Sequence, residues 1–227
     1  MKLSVIIPAY NEKKTIKEIL RRVRQVKLDI EKEIIVLDGA STDGTREILE
    51  EERDNSTRII FEKERKGKGA AVREGFKHAS GEIIIIQDAD LELDPNEYPN
   101  LIAPILRGET SVVFGSRFLS GRKGLYWPSY LANRIITLLA NLLFNATLTD
   151  IATCYKVLKK EVINNLNLCC NGFDFDAEIT AKILKKGFKI IEVPVDYRPR
   201  DYTQGKKIHW KDGFRTLYIL MKCKIKE

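Results

Sequence analysis

Asp88, Asp90 and Glu92 place three carboxylates within five positions of the stretch IIQDADLELD, directly after the unbroken run Ile83–Ile86. Like charges this close repel, so a cation belongs with them. On a strand running into a turn, Asp88 and Asp90 can face a common point. Hard divalent cations such as Mg2+ or Mn2+ take carboxylate oxygens and keep waters and substrate phosphates as their remaining ligands. The plainer reading is a capped turn, where Asp is common. D-x-D alone does not separate the two.

Three further segments bring polar residues to the ends of apolar runs. In PAYNE (8–12) Pro8 closes a run, Tyr10 offers a ring face for stacking, and Glu12 is an acceptor-only carboxylate. An acid in the first turn of a helix is also favourable without any ligand. In VLDGASTDG, Asp38 can accept bonds from a base or ribose, while Thr42 or Asp43 can cap a following helix. In GKGAAVREG (67–75), Gly67 and Gly69 let backbone approach a ligand closely and Lys68 adds positive charge. This is not a P-loop, because G-x-x-x-x-G-K-[ST] is absent.

These segments need elements that carry them to one place. LSVIIP (3–8), EIIVLD (33–38), TRIIFE (57–62) and EIIIIQD (82–88) read as strands. Helical patterns lie between them: one from Asn11-Glu12 through Val26, with Ile16, Ile19, Leu20 and Val23 on one face, and one ending at Ala79. The alternation predicts an α/β fold with right-handed crossovers and a Rossmann-like, mostly parallel central sheet flanked by helices. Near-continuous apolar strands fit a sheet covered on both faces. In such sheets ligands bind beyond the carboxyl ends of the strands, where these polar segments fall. After Asp94 the reading is a helix at 95–107, a strand at 111–118, a loop at 119–127, a helix at 128–147, a strand at 155–160 and a helix at 174–186. A strand at 188–197, broken at Pro194, precedes the basic loop RPRDYTQGKK and a helix at 209–224. One domain over 1–227 is expected, with 1–118 as a nucleotide-binding half and 119–227 as an acceptor-side half.

The chain has 227 residues, 44% apolar and 31% charged, the balance of an ordinary globular protein. Its formal charge of +7 favours anionic partners. No block of like charge is long enough for a nucleic-acid-binding tail, so nucleic acid is not an expected partner. Cys154, Cys169, Cys170 and Cys223 form no C-x-x-C pair and the histidines are His78 and His209, so a zinc site is not expected. Cys154, Cys169 and Cys170 read as inert packing residues. No signal peptide is read in MKLSVIIPAYNE. The stretch 124–149 is interrupted by Asn133, Asn141 and Asn145 and is too polar to span a bilayer. An interfacial position at a membrane or lipid chain is expected for helix 128–147. The last helix, with Trp210, Phe214, Leu217, Tyr218 and Leu220, suits either packing on the sheet or a bilayer surface.

In this order the segments VIIPAYNE, VLDGASTDGT, KGKGAAVREG and DADLELDP resemble the family 2 glycosyltransferases with a GT-A fold. The second half, through FGSRF, TDIATCYKV, FDFDAEITAKILKKGFKIIEVPVDY and RDYTQGKKI, resembles the dolichyl-phosphate mannosyltransferase-like, polyprenyl-phosphate branch. The resemblance implies that Pro8, Ala9, Tyr10, Glu12 and Asp38 contact the nucleotide, with Lys68 beside it. Asp88 and Asp90 would sit at the diphosphate and a Mn2+ or Mg2+ ion, and Glu92 stands where some relatives carry a Gln ligand. Arg117 would line the acceptor side. Arg200 and Lys206 would engage diphosphate or acceptor phosphate, with Lys207 the alternative to Lys206.

The implied reaction is inverting transfer of a hexose, with GDP-mannose the expected donor and a UDP-sugar the alternative. The acceptor would be a polyprenyl phosphate, or in the rival reading a glycan hydroxyl. An ionised phosphate acceptor needs no strong general base, in keeping with clusters that hold no histidine. A cytoplasmic, peripheral membrane location follows from a lipid acceptor, with room for a membrane-protein partner subunit. Processive synthases carry Q-x-x-R-W and membrane helices, which are not read here. A non-catalytic nucleotide-binding protein is the alternative from another class; the intact D-x-D and the basic loop argue against it.

Overall fold

The computed structural model describes residues 1–121, 127–200 and 210–226. Seven strands form one sheet: β1 Lys2–Ala9, β2 Glu31–Asp38, β3 Thr57–Phe61, β4 Ile83–Ile86, β5 Val112–Ser116, β6 Lys156–Lys159 and β7 Ile190–Pro194, in the order β3-β2-β1-β4-β6-β5-β7. All pairings are parallel except those of β6, which runs antiparallel between β4 and β5. The sheet thus draws strands from both halves of the chain.

The helices are α1 Ile16–Gln25, α2 Thr45–Glu51, α3 Lys68–His78, α4 Tyr98–Leu106, α5 Trp127–Phe144, α6 Lys160–Asn164, α7 Phe175–Lys185 and α8 Trp210–Lys226, with a 3-10 turn at Pro95–Glu97. Ile16, Ile19, Leu20 and Val23 are the buried face of α1, as their spacing predicts. Ile83–Ile86 are buried on both faces of the sheet, each worth about 1.5–3 kcal/mol over an exposed position.

Register fixes the working edge. Ala9 pairs with Asp38, Asp38 with Phe61, and Ile6 with Ile86. The first three polar segments therefore leave the sheet side by side. Because β6 is reversed, its first residue, Lys156, arrives at the same edge opposite Phe114. Several sequence-based boundaries shift. The first helix begins at Ile16 rather than at Asn11-Glu12, because Glu12 O closes a turn with Thr15 N and Ile16 N. The fourth strand ends at Ile86, although Gln87 N still donates to Ile6 O of β1 at 2.9 Å, and the chain leaves the sheet from Asp88 on. Pro194 ends β7 instead of interrupting it.

Among the described residues no helix is long and apolar enough to cross a membrane. Helix α5 turns Ile136, Thr137 and Ala140 inward and leaves Leu131, Ile135, Leu138 and Leu142 exposed. Helix α8, packed on α5 and α7, buries Ile219, Leu220 and Cys223 and exposes Phe214, Tyr218, Met221 and Ile225. Both exposed rows follow the same 4-3-4 spacing, one stripe along each helix.

Candidate active site

At the end of β4 the chain must leave the sheet with its carboxylates aimed, and a buried amide sets that exit. Gln87 is fully buried, and its Oε1 accepts the hydroxyls of Tyr98 and Tyr155, each at 2.8 Å. Its Nε2 donates to Asp88 O at 3.0 Å. The backbone of Asp88 is thereby tied to α4 and to the lead-in of β6.

Asp88 and Asp90 then meet different cations. Lys68 Nζ, at the start of α3, lies 2.9 Å from Asp88 Oδ2. Arg200 reaches back from beyond β7: its Nη2 donates to Asp90 Oδ2 and its Nη1 to Glu12 Oε2, both at 3.0 Å. Glu92 Oε1 accepts the Arg200 backbone N–H at 2.9 Å, and its Oε2 accepts the Tyr197 hydroxyl at 2.9 Å. Glu92 therefore anchors the strap that carries Arg200. Arg198 N also donates to Glu92 O, and Leu93 pairs with Tyr197.

Burial, reinforced by the charges of Asp88 and Glu92, pushes Asp90 up to about 7. Lys68 moves the opposite way to its burial: desolvation lowers it, but Asp176 and Asp88 hold it well above the ordinary lysine range. Among the groups named, Glu12, Asp88, Asp90, Glu92 and Asp176 face the cations Arg200, Lys68 and Lys156. Asp88, Asp90 and Glu92 thus stand close together as carboxylates at the exit of β4, each met by a cation or donor among the described residues. Asp88, Asp90 and Glu92 are not drawn into one tight ligand set; among the described residues only Cys169, Cys170 and Glu178 bring ligand atoms within 4.8 Å of one another. An ion bound through one or two carboxylates and completed by substrate phosphates fits this donor set, being the usual Mg2+ arrangement.

The nucleotide side lies at the ends of β1 and β2. Asp38 is fully buried, and its Oδ2 accepts Arg46 Nε at 2.6 Å and Ser41 N at 3.2 Å. Its Oδ1 is buried with no hydrogen-bond partner among the described residues. An acceptor left in that state costs stability unless a donor reaches it. Pro8 and Ala9 form the last two pairs of β1 with β2, and the Arg65 guanidinium lies over the Tyr10 ring, 4.2 Å from its centroid. Glu12 N donates to Thr45 Oγ1, joining the two βα turns. Neither Thr42 nor Asp43 is the N-cap of α2: Gly44 holds that position in the left-handed region, and Asp43 just before it accepts Thr45 N through Oδ1 at 3.0 Å.

Arg117 borders this cluster, its charge felt by Glu92 and Asp176. Arg117 forks onto Asp150 through Nε at 2.7 Å and Nη2 at 2.8 Å, and its guanidinium lies 5.1 Å from the Tyr197 ring centroid. Asp150 is fully buried. Lys206 and the basic loop 201–207 lie outside the described residues. Gly67 and Gly69 approach protein instead of a ligand: a Cβ on them would come 2.4 Å from Asn171 O and 2.5 Å from Cys170 O. Cys169 is exposed, not packed, and its thiol donates to the buried Glu178 at 3.0 Å. Lys156, Asp176, Gln87 and Asp150 escaped the sequence reading. A lysine or glutamine inside an otherwise apolar strand, as in YKVL and IIIIQ, is the only local mark they leave.

A seven-stranded sheet in this order, with carboxylates at the exit of the fourth strand, defines the GT-A fold. Residues 4–166 match the model of glycosyl transferase family 2, and the chain belongs to that family. It is 34% identical, over 98% of its own length and 64% of the relative's, to a dolichol-phosphate mannosyltransferase of Pyrococcus furiosus. It is 30% identical to an undecaprenyl-phosphate 4-deoxy-4-formamido-L-arabinose transferase of Salmonella choleraesuis, over 90% of this chain and 62% of that one. The chain thus spans under two thirds of the length of these relatives. In fold it is similar to glucosyl-3-phosphoglycerate synthase of Mycobacterium tuberculosis, solved with Mn2+, uridine diphosphate and glucosyl-3-phosphoglycerate (TM-score 0.75, 22% identity, 100% of this chain and 81% of that one).

Proposed function

We propose that this chain carries out inverting transfer of a hexose from a nucleoside diphosphate to a polyprenyl phosphate, with GDP-mannose as the donor. The observation that carries the reading is the pair of carboxylates Asp88 and Asp90 at the exit of β4, beside an Asp38 Oδ1 that has no partner among the described residues. The first calls for a divalent cation with a diphosphate, the second for a donor on a base or ribose. The names of the two relatives, both transferases acting with a polyprenyl or dolichol phosphate, support the acceptor class. A UDP-sugar donor is the second reading, favoured by the uridine diphosphate held in the structural neighbour.

In this reading Asp88 and Asp90 hold Mn2+ or Mg2+, which supplies positive charge against the diphosphate. Asp38 accepts from the nucleoside, Tyr10 stacks on it, and Pro8 and Ala9 shape the floor. Glu12 positions Arg200. The bond from the anomeric carbon to the diphosphate breaks, and its electron pair leaves with the diphosphate. Arg200 and Lys68 stabilise the charge that builds there. An ionised phosphate oxygen attacks from the opposite face, so no proton has to be removed. His78, bonded to Glu74 on α3, takes no part. Glu92 acts by holding the Arg200 strap. Arg117 is assigned to the acceptor side, and Lys206 or Lys207 to the diphosphate or acceptor phosphate.

A lipid acceptor asks for a surface, and the exposed apolar rows of α5 and α8 are of the kind that lies in a membrane interface. A donor-by-acceptor matrix tests the function: GDP-mannose, UDP-glucose and UDP-GlcNAc, each with a polyprenyl phosphate and with soluble glycans, with and without Mn2+. Mannose in the organic phase, dependent on metal, is the expected result. Exclusively water-soluble product would contradict the acceptor assignment.

A further inference from the structure

Behind Lys68 runs a line of charge that the transfer itself does not use. Lys156 is fully buried on β6 and spends its three N–H donors on Ile151 O at 3.1 Å, on Thr153 O, and on Asp176 Oδ1 at 2.7 Å. Asp176, in the first turn of α7, turns its other oxygen toward Lys68 Nζ at 3.6 Å. Lys68 then meets Asp88 at 2.9 Å. The order is Lys156, Asp176, Lys68, Asp88, alternating in sign from the core to the mouth of the site.

A buried ion pair is expensive, and replacing it with apolar residues often leaves stability unchanged. A lysine and an aspartate that only stapled β6 to α7 would also have no reason to reach a second lysine. We propose that Asp176 and Lys156 are positioning residues for the metal site: Asp176 shares the Lys68 ammonium with Asp88, and Lys156 sets how strongly it does so. The inference rests on the reading of Asp88 as a metal-binding carboxylate. Lys68 and a divalent cation compete for the same Asp88 oxygens. With Asp176 ionised, Lys68 has a second acid to hold it when Asp88 turns to the metal. Without that acid, Lys68 stays on Asp88 and opposes the metal.

The arrangement makes two variants move in opposite directions. Asp176→Asn removes the second acid and weakens metal binding. Lys156→Gln keeps a donor for the carbonyls of residues 151 and 153 but removes the competing cation. Asp176 then holds Lys68 more firmly, and metal binding strengthens. A merely structural pair would make both variants lose affinity together.

The test is Mn2+ titration of the full chain with saturating GDP or UDP, followed by water-proton relaxation, which distinguishes protein-held Mn2+ from Mn2+ on free nucleotide. Thermal melts establish that each variant is folded. Expected are a loss of about fivefold in Mn2+ affinity for Asp176→Asn and a gain of about two- to fivefold for Lys156→Gln, each equivalent to about 1 kcal/mol or less. Adding Lys68→Met to Asp176→Asn should restore the lost affinity, because the competitor is gone. Should Asp176→Asn fail to fold, Lys156→Gln and Lys68→Met still decide the matter, since both should tighten Mn2+ binding. Wild-type Mn2+ binding with variants unchanged, or both weakened, would overturn the positioning role and leave the site reading intact. No protein-held Mn2+ in the unmodified chain would overturn both.

Discussion

Arg200→Ala removes the guanidinium that Glu12, Asp90 and Glu92 share. Its Nη atoms stand 3.0 Å from Glu12 and from Asp90, and its Nε stands 3.8 Å from Glu92. At such distances each contact carries a gross Coulomb energy of about 5 kcal/mol at an effective dielectric constant of about 20. Desolvation and the existing pairing offset most of that in the ground state. The part that grows as charge builds on the leaving diphosphate is about 3–4 kcal/mol, the range for one donor aimed at developing charge. The variant should therefore lose about 100- to 1000-fold in kcat, with donor KM changed far less, because the proposed nucleoside contacts, Asp38 and Tyr10, are untouched. Arg200→Lys should recover only part of the rate, since an ammonium cannot fork between two carboxylates. Initial rates with labelled donor, over a range of donor concentrations, read this directly. A folded Arg200→Ala chain with kcat within about threefold of the original would refute the assignment of Arg200 to the leaving group.

The remaining predictions concern the frame and the surface. Gly69→Ala should destabilise the chain by about 1–3 kcal/mol in a denaturant melt, since the new methyl would meet Cys170 O at 2.5 Å and the Phe175 side chain at 2.7 Å; an unchanged midpoint would contradict the close seat of α3. Glu33 is held down to about 2: burial raises it, but hydrogen bonds from Ser4, Lys2 and Ser80 outweigh that and depress it. A depressed carboxylate stabilises above its unfolded value of 4.5 and loses that contribution as pH falls toward about 2. Glu33→Gln should accordingly cost about 2 kcal/mol near neutrality and flatten the acid limb of the melting curve, whereas a parallel curve would exclude Glu33 as its source. Leu138→Glu with Leu142→Glu should abolish sedimentation with anionic vesicles and leave the melting temperature within a few degrees, roughly the effect of exposed substitutions; undiminished vesicle binding would remove α5 from the interface.

The sheet and its working edge were legible because apolar runs stop at polar segments, and parallel strands carry those stops to one side. Ile83–Ile86 followed by Asp88 and Asp90 is the clearest instance. The reversal of β6 was not legible, since YKVLKK has the same pattern in either direction. Its consequence, Lys156 at the carboxyl edge, was hidden with it. Helix α1 begins four residues later than its periodicity suggests because Glu12 is held by Thr45, Thr15 and Arg200, partners that no local pattern reveals. Gln87 likewise looks like the first residue of a turn, yet it is a buried amide joining two tyrosines far apart in sequence. Gly67 and Gly69 were right as sites of close approach, but what approaches is the backbone of residues 170–172.

The most direct test of the central claim is diffraction from crystals grown with Mn2+ and GDP or UDP, with anomalous data at the manganese edge. A manganese peak within bonding reach of Asp88 or Asp90, next to the diphosphate and with the nucleoside against Asp38, is the expected result. A manganese peak elsewhere, or a nucleotide bound away from the ends of β1, β2 and β4, would contradict it.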